Sequence, residues 1–483
     1  MMRSELMPLS SHALACRRSR RPGRRARDTI ARFRSRPNAL QQRGIRHPAR
    51  LVPLAFLAVI AIGTALLSLP FAHAGPGSAP WVTALFTAVS AICVTGLTVV
   101  DTATYWSAFG QVVILVLFQL GGLGIMAGAT LLVLLVSKRL RLGTRLIAQA
   151  ETRSMDLVDV MAVVWLILRV MLIVEAALTV VLTLRFHFGY GQPFGTALWN
   201  GLFHAVSAFN NAGFSTYSDS VMGFYDDALV LVPMMIAVLV GGLGFPVLHE
   251  LRREPWRWPR WSVHTKITLL GTAFLFFGGA LAIGAYEWTN PQTLAPMGTG
   301  ERILNAMFHS VSARSSGFNT LDMGTLKSET LAVNYVLMFI GGGSASTAGG
   351  IRITTFFLLG LVVWAEVRGR PDTFAFGRTI PADVQRQALT VALLGVSVIA
   401  FGTLALMSVT ELPLVVVVFE VISASATVGL STGITGELPP SGQLMLVVMM
   451  FIGRVGPVTV ATALALRGRN LPYRYPEERP IVG

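Results

Sequence analysis

The stretch FEVISASATVGLSTG at residues 419–433 opens on an apolar, helix-like run and then dissolves into small residues around Gly429. It is too brief to cross a bilayer, yet it lies between two apolar runs, 388–407 and 444–466, that are long enough. Three other stretches share its plan: FTAVSAICVTGLTVVD at 86–101, FHAVSAFNNAGFSTYSD at 203–219 and FHSVSARSSGFNTLD at 308–322. Aligned on the Ser of a V/I-S-A core, Ser90, Ser207, Ser312 and Ser423 superpose, and Gly96, Gly213, Gly317 and Gly429 follow in register. The third copy is one residue shorter between its Ser and its Gly. A second landmark, a Gly-rich core in the next apolar run, reads GGLG at Gly121, GGLG at Gly241, GGGS at Gly341 and GRVG at Gly453. It follows the first glycine by 25, 28, 24 and 24 residues, so two landmarks at matching offsets define a fourfold internal repeat.

Working outward, apolar runs of spanning length recur at 51–70, 109–136, 160–184, 228–248, 267–286, 331–364, 388–407 and 444–466. Eight spanning helices are therefore expected, in an all-α integral membrane protein of four consecutive helix, pore loop, helix units arranged with pseudo-fourfold symmetry around a central pore. The units are placed at 51–150, 151–260, 261–375 and 376–467, between a basic tail at 1–50 and a second tail at 468–483. Composition agrees: 53% of the 483 residues are hydrophobic and 13% charged, with a mean hydropathy of +0.62, too apolar for an ordinary soluble enzyme.

The net charge of +15 sits on one side. The tail before Leu51 has fourteen Arg against Glu5 and Asp28, and alternate connections carry Lys138, Arg139, Arg141 and Arg145, then Arg252, Arg253, Arg257 and Arg260, then Arg368, Arg370 and Arg378. The intervening connections are mostly acidic, which places both termini in the cytoplasm by the positive-inside rule and argues against nucleic acid as a partner. The Arg-rich tail has the composition of a transit peptide, but a tail lying on anionic membrane lipids explains it as well. Cys16 and Cys93 fall at different depths, so no disulfide is expected.

A re-entrant loop puts irregular backbone at membrane depth, where each unpaired N–H or C=O costs several kcal/mol unless it is buried in protein or faces water. Four such loops about one axis would aim carbonyls inward and replace the hydration shell of a monovalent cation. Glycine suits the tip because φ > 0 is disfavoured by a β-carbon. Thr427-Val428-Gly429 nearly matches the Thr-Val-Gly-Tyr filter of potassium channels, with degenerate counterparts in Val94-Thr95-Gly96, Asn211-Ala212-Gly213 and Ser315-Ser316-Gly317. These twelve residues are the candidate ion-binding set, and K⁺ is the expected ion. Asp101, Asp219, Asp322 and Glu437 follow the loops, either as a cation-attracting vestibule or as solvated loop charges.

The four loops, the GGLG cores, GGGSASTAGGIRITT in the third repeat and IGRVGPVT in the fourth resemble the Trk/Ktr/HKT superfamily of potassium-transporting membrane subunits, from about residue 51 to about 467. The basic tail runs directly into the first apolar helix, which is similar to the Ktr-type subunit. The resemblance implies a homodimer with one pore per protomer, standing on a cytoplasmic ring of separately encoded regulatory subunits that bind ATP, ADP or NAD. It leaves Na⁺ dependence open. Gly96 points to K⁺, because members with Ser at that position tend to favour Na⁺. No βαβ dinucleotide fingerprint is present in this chain, so no cofactor is expected on it.

Within the third repeat, Gly341, Gly342, Gly343, Ser344, Ala345, Ser346, Thr347, Ala348, Gly349 and Gly350 form a run that resists helix formation at mid-membrane. The resemblance implies that this loop is the intramembrane gate. Arg454 stands where the other repeats have Gly122, Gly242 and Gly342. A charge there is a functional candidate. It can hold loop carbonyls, raise an electrostatic barrier under the filter, or simply tie helices together. Arg169 and Glu175 lie on different faces of one helix and read as packing or interfacial residues. His204 and His309 read as hydrogen-bonding residues rather than metal ligands, and Glu420 as a carboxylate at a pore-helix N-terminus. An organic-solute transporter would show inverted halves, and a membrane enzyme would show HExxH or paired carboxylates at depth. The sequence shows neither.

Overall fold

The computed structural model describes residues 48–144 and 157–466, with Glu478. The Arg-rich tail before residue 48, Cys16, Arg145 and the tail at 468–483 lie outside the described residues, apart from Glu478. Fifteen helices are described. They are α1 (Pro48–Leu67), α2 (Trp81–Ile92), α3 (Thr102–Tyr105), α4 (Ala108–Thr144), α5 (Leu157–Tyr190), α6 (Phe194–Asn210), α7 (Ala228–Leu243) and α8 (Phe245–Arg253), followed by α9 (Val263–Glu287), α10 (Thr299–Ser315), α11 (Ser328–Phe339), α12 (Ile353–Val367), α13 (Ala382–Met407), α14 (Leu414–Ser425) and α15 (Pro440–Leu466). A two-stranded hairpin, β1 (Phe374–Ala375) and β2 (Arg378–Thr379), joins α12 to α13.

Among the described residues three helices are long and apolar enough to cross a membrane alone: Trp165–Tyr190 within α5, α9 and α13. A fourth crossing results if α7 and α8 count as one bent span. Every apolar run of the sequence contains one of these or a shorter apolar helix, but two runs are broken. The expected break in the sixth run spans Ile340 to Arg352, slightly more than the glycine-rich segment itself. The break in the fourth run corrects the expectation of a continuous helix to Leu248. α7 stops at Leu243, Gly244 takes φ +90°, and α8 leaves at 98°. Pro246 sits in the first turn of α8, where its missing N–H is harmless.

The short helices α2, α6, α10 and α14 carry the four quoted stretches. At 12 to 17 residues, they would reach roughly 18–26 Å, less than the ~30 Å hydrocarbon core. Three begin directly after a proline, Pro80, Pro193 and Pro413, which fixes φ for helix entry. The other starts after Gly298, whose N–H donates to Glu301 Oε2 at 2.8 Å. All four begin upstream of the Phe landmark, which lies inside the helix. Phe86, Phe203, Phe308 and Phe419 are each at most 2% exposed and anchor the hydrophobic cores around the short helices. Contacts run α4 to α6, α7 to α10, α11 to α14 and α15 back to α2, so the chain closes on itself.

Where the chain has turned off the crossing direction, Glu250 of α8 accepts from Ser262 N (2.7 Å), Ser262 Oγ (2.7 Å) and Thr265 Oγ1, tying α8 to the start of α9. Burial alone would raise its pKa, but these donors hold the carboxyl below the usual carboxylate range. With the folded pKa depressed, this stabilisation is present above the unfolded pKa and is lost as pH falls through the folded one. Thermal unfolding in detergent is therefore expected to show wild type above Glu250→Gln at neutral pH, with the gap closing at acid pH.

Candidate functional site

Each short helix ends in a clamp built on the aligned serine, which donates to a carbonyl in the first three copies and accepts from an N–H in the fourth. Ser90 Oγ donates to Leu97 O at 2.7 Å, Ser207 Oγ to Phe214 O at 2.8 Å and Ser312 Oγ to Phe318 O, while Ser423 Oγ accepts from Gly429 N at 3.1 Å. The backbone repeats the clamp: Thr95 N, Ala212 N and Val428 N donate to the carbonyls of Ser90, Ser207 and Ser423 at 2.8–2.9 Å. In the shorter third copy Gly317 N reaches Ser312 O at 3.4 Å instead. Val94, Asn211 and Thr427, two positions before the glycine, adopt φ of +56°, +60° and +50°. The missing residue of the third copy removes this left-handed turn, and Ser316 caps α10 at φ −100°.

The four glycines expected at the filter have φ of +88°, +71°, +71° and +96° for Gly96, Gly213, Gly317 and Gly429. They face one another in a closed cycle. A β-carbon on Gly96 would strike the Ala212 carbonyl, one on Gly213 the Ser316 carbonyl, one on Gly317 the Val428 carbonyl and one on Gly429 the Thr95 carbonyl. Ten of the twelve candidate residues are buried, and the other two, Gly213 and Gly429, are partly buried. Thr95 Oγ1 and Thr427 Oγ1 are buried without a hydrogen-bond partner in the chain. The Gly-rich cores explain this tight assembly, because β-carbons on Gly121, Gly241 and Gly453 would strike the carbonyls of Ile92, Phe209 and Ser425 at the ends of their own short helices. Gly341 breaks the pattern, facing the Gly349 carbonyl instead.

That difference follows from the loop at 340–352, which folds beneath the tips. Asn211 Nδ2 donates to Thr347 Oγ1 at 2.6 Å, and a β-carbon on Gly349 would meet Thr427 Oγ1, so the loop touches two of the tips. Gly343 N and Thr347 N donate to Gly242 O (2.8 Å) and Gly241 O (3.2 Å), and Phe245 N to Ala345 O (3.2 Å). Ser344 O packs on Gly244, where any side chain would collide with it. The unforeseen break between α7 and α8 is thus the seat of the loop. Ser346, Thr347 and Ala348 are fully buried.

Two arginines grip the loop. Arg454 Nη1 donates to Thr347 O at 2.6 Å, while its Nε and other Nη have no partner. Arg352 Nη1 reaches Gly343 O (3.2 Å), Ser346 Oγ (3.3 Å) and Ala348 O (2.5 Å). Arg352 was not singled out from the sequence, although a lone charge inside the 331–364 run was the available signal. The described ion pairs are Arg185 with Asp227 and Glu254 with Arg257 and Arg260, so neither loop arginine is in one.

Glu175, read as a packing or interfacial residue, is 4% exposed and accepts from Gln119 Nε2 (2.9 Å) and Asn210 Nδ2 (3.1 Å), bracing the end of α6, whereas Arg169 is exposed. Glu420 does not cap its helix. α14 starts at Leu414, and the Glu420 carboxylate accepts from Ser431 Oγ (2.9 Å) and Thr435 Oγ1, pinning the chain that leaves the tip. His204 bonds Asn200 O (2.8 Å) and Ser215 Oγ (2.9 Å), and His309 bonds Asn334 Oδ1 (3.1 Å). Asp101 and Asp322 cap short helices, and Asp101 also accepts from Ser218 at 2.6 Å.

Comparison with known proteins bears on this arrangement. The family described as TrkH, cation transport protein, matches residues 29–470. The chain is 37% identical to Ktr system potassium uptake protein B of Bacillus subtilis over 436 residues, covering 90% of this chain and 97% of that one. It is 34% identical to potassium/sodium uptake protein NtpJ of Enterococcus hirae, covering 90% and 97%. The crystal structure of the potassium transporter TrkH from Vibrio parahaemolyticus superposes with a TM-score of 0.65 at 17% identity, covering 91% of this chain and 88% of that one, which shows a shared fold.

Proposed function

Because this chain belongs to the TrkH family of cation transport proteins, and so is a multi-pass membrane protein, we propose that it takes up K⁺ through a pore at the centre of the four loop tips. The observation that carries this reading is the closed cycle of Gly96, Gly213, Gly317 and Gly429, each against a carbonyl of the next copy. In this reading the four repeats stand with pseudo-fourfold symmetry about the pore. Carbonyls of Val94, Thr95, Gly96, Asn211, Ala212, Gly213, Ser315, Ser316, Gly317, Thr427, Val428 and Gly429 replace the hydration shell of the ion, with the unpartnered Thr95 and Thr427 hydroxyls at hand as further oxygens. The K⁺ ion is cargo.

The loop at 341–350 is the gate, closed in this conformation, and Arg352 and Arg454 hold it. Withdrawal requires breaking its bonds to Gly241, Gly242 and Asn211, and its small residues let the backbone rearrange at little steric cost. The name of the Bacillus subtilis relative, a Ktr system protein B, supports a multi-component system with a regulatory subunit; in this reading the chain is a homodimer with both termini cytoplasmic, standing on a cytoplasmic nucleotide-binding ring. The Enterococcus hirae relative named for potassium and sodium favours a second reading, in which Na⁺ also passes.

K⁺ and Na⁺ flux in proteoliposomes, wild type beside Gly96→Ser, tests the proposal. Wild type is expected to pass K⁺ over Na⁺ and Gly96→Ser to lose that preference. If wild type moves neither ion with its regulatory partner added, ion conduction is wrong.

A further inference from the structure

Away from the loop tips, an apolar cavity of about 230 Å³ lies between α13, α15, the end of the loop and the end of α14. Its walls include Phe339, Ile351, Val391, Gly395, Ala426 and Ile452. At its inner end it reaches Gly350 and Ile351, where the gate loop rejoins the helix, and Ala426, one residue before Thr427. At its outer end lie Leu394 and Ile452, 46% and 41% exposed. On either side the outward faces of α13 and α15 carry Leu393, Val396, Val448 and Phe401, all exposed and all apolar.

Three properties select the occupant. The mouth opens at the depth of a membrane-crossing helix, so its surroundings are lipid tails rather than water. The lining side chains are apolar except for Ser425, whose hydroxyl donates to Ile422 O at 3.3 Å, and a site with so few polar partners does not hold ordered water. A void this large forfeits packing with its walls, and a neighbouring tail restores that packing without being taken out of water. A β-carbon on Gly395 would come within 3.3 Å of Ile351 Cδ1 and 3.6 Å of Phe339 Cε2, so the absence of a side chain at 395 keeps the space open.

We propose that this cavity is a binding site for one acyl chain of a membrane lipid, and that the chain packs against Ile351 and so biases withdrawal of the loop. The gating half rests on the reading of the loop above, whereas occupancy does not. Ile351 is the point of leverage, because its N–H bonds Phe339 O at 3.0 Å and the preceding Gly350 has φ +69°. A tail wedged there supports the closed arrangement of the hinge, and its departure leaves Ile351 space to move.

The full-length protein is reconstituted in phosphatidylglycerol and phosphatidylcholine vesicles in which part of the lipid carries a diazirine at the end of its acyl chain, then photolysed and mapped by peptide mass spectrometry. Adducts are expected on Ile351 and on the cavity-lining Val391, Val398 and Ile399. Filling the space with Gly395→Leu is expected to cut them roughly tenfold by steric exclusion, with adducts on outward-facing Phe401 and Leu404 unchanged. Val391→Phe is the second variant should Gly395→Leu not fold. Wild-type adducts confined to the outer faces, adducts untouched by either filling variant, or a cross-link from 391–399 to a second copy in place of lipid would each overturn the site. K⁺ flux in the same vesicles is expected to vary with acyl-chain length in wild type and not in Gly395→Leu. Equal flux across chain lengths in wild type overturns the gating half. Absence of any K⁺ flux alongside intact adducts removes the transport reading and leaves the lipid site standing.

Discussion

Gly429→Ala is expected to reduce K⁺ flux by about a hundredfold, equivalent to ~2.7 kcal/mol of added barrier, while the protein still elutes as a single species. At φ +96° a β-carbon is itself strained, by about 1–2 kcal/mol. The larger effect is steric, since that carbon would overlap the Thr95 carbonyl and stand 3.1 Å from Gly96 Cα. Both are backbone of another repeat, so relief comes only by turning a carbonyl of the proposed ion path away from its place. Gly377 provides the control. It has φ +76° in the hairpin turn between β1 and β2, and nothing lies within 4 Å of its would-be β-carbon. Gly377→Ala carries the same backbone strain and is expected to keep wild-type flux. Flux of Gly429→Ala within about threefold of wild type, a barrier change under ~1 kcal/mol, would remove the glycine cycle from the ion path.

This comparison shows what was legible in the sequence. The repeat was readable because its landmarks are steric requirements. Gly96, Gly213, Gly317 and Gly429 are the only residue type that fits against a neighbouring carbonyl at positive φ, and Gly121, Gly241 and Gly453 admit the end of a helix. Such requirements leave a residue identity at a constant spacing. The single-residue deletion in the third copy was visible too, but its meaning, loss of the left-handed turn made by Val94, Asn211 and Thr427, was not. What stayed hidden depends on partners distant in sequence. Glu420 was read as a cap because a carboxylate near a helix start is electrostatically favoured, yet the helix starts at Leu414 and Glu420 bonds Ser431 and Thr435. Gln119, Glu175 and Asn210 meet from three helices, and no spacing rule joins them.

The break at Gly244 was hidden for the same reason. GGLG in the second repeat is identical to GGLG in the first, where α4 runs through as a continuous helix. What distinguishes them is Pro246, two residues beyond Gly244, and the body packed alongside. The loop of the third repeat needs space and hydrogen-bond partners at depth, where unpaired backbone is costly. It finds them in Gly241 O, Gly242 O and Phe245 N, the first two at the end of α7 and the third made available by the turn at Gly244. The two broken helices are therefore hydrogen-bonded to one another, and in the gate reading proposed above, withdrawal of the loop has to break its bonds to the α7 to α8 junction. From there α8 leads directly to the basic connection that carries Arg252, Arg253, Arg257 and Arg260.

Arg454→Gln is expected to raise K⁺ flux in the absence of any regulatory partner by roughly tenfold or more, and Arg454→Lys to leave it low. The two substitutions separate the two roles open to this side chain. As a latch, Arg454 contributes one bond, to Thr347 O at 2.6 Å, in a loop that also receives three contacts from Arg352 and several backbone bonds. Loss of one charged bond among many is worth about 1.5–3 kcal/mol at most, and Arg352 remains to hold the adjoining carbonyls. As a barrier, Arg454 is 2% exposed, has no acid partner among the described ion pairs, and leaves two nitrogens unbonded. A full charge beside the path of a cation opposes it by about 4 kcal/mol at ~4 Å and an effective dielectric of ~20, and by less farther away, and this term persists after the loop has moved. The barrier therefore dominates once the gate is open, and Lys preserves it while forfeiting the guanidinium geometry. If Arg454→Lys conducts as freely as Arg454→Gln, the latch is the controlling role, and Arg352→Gln then becomes the variant expected to open the pore further.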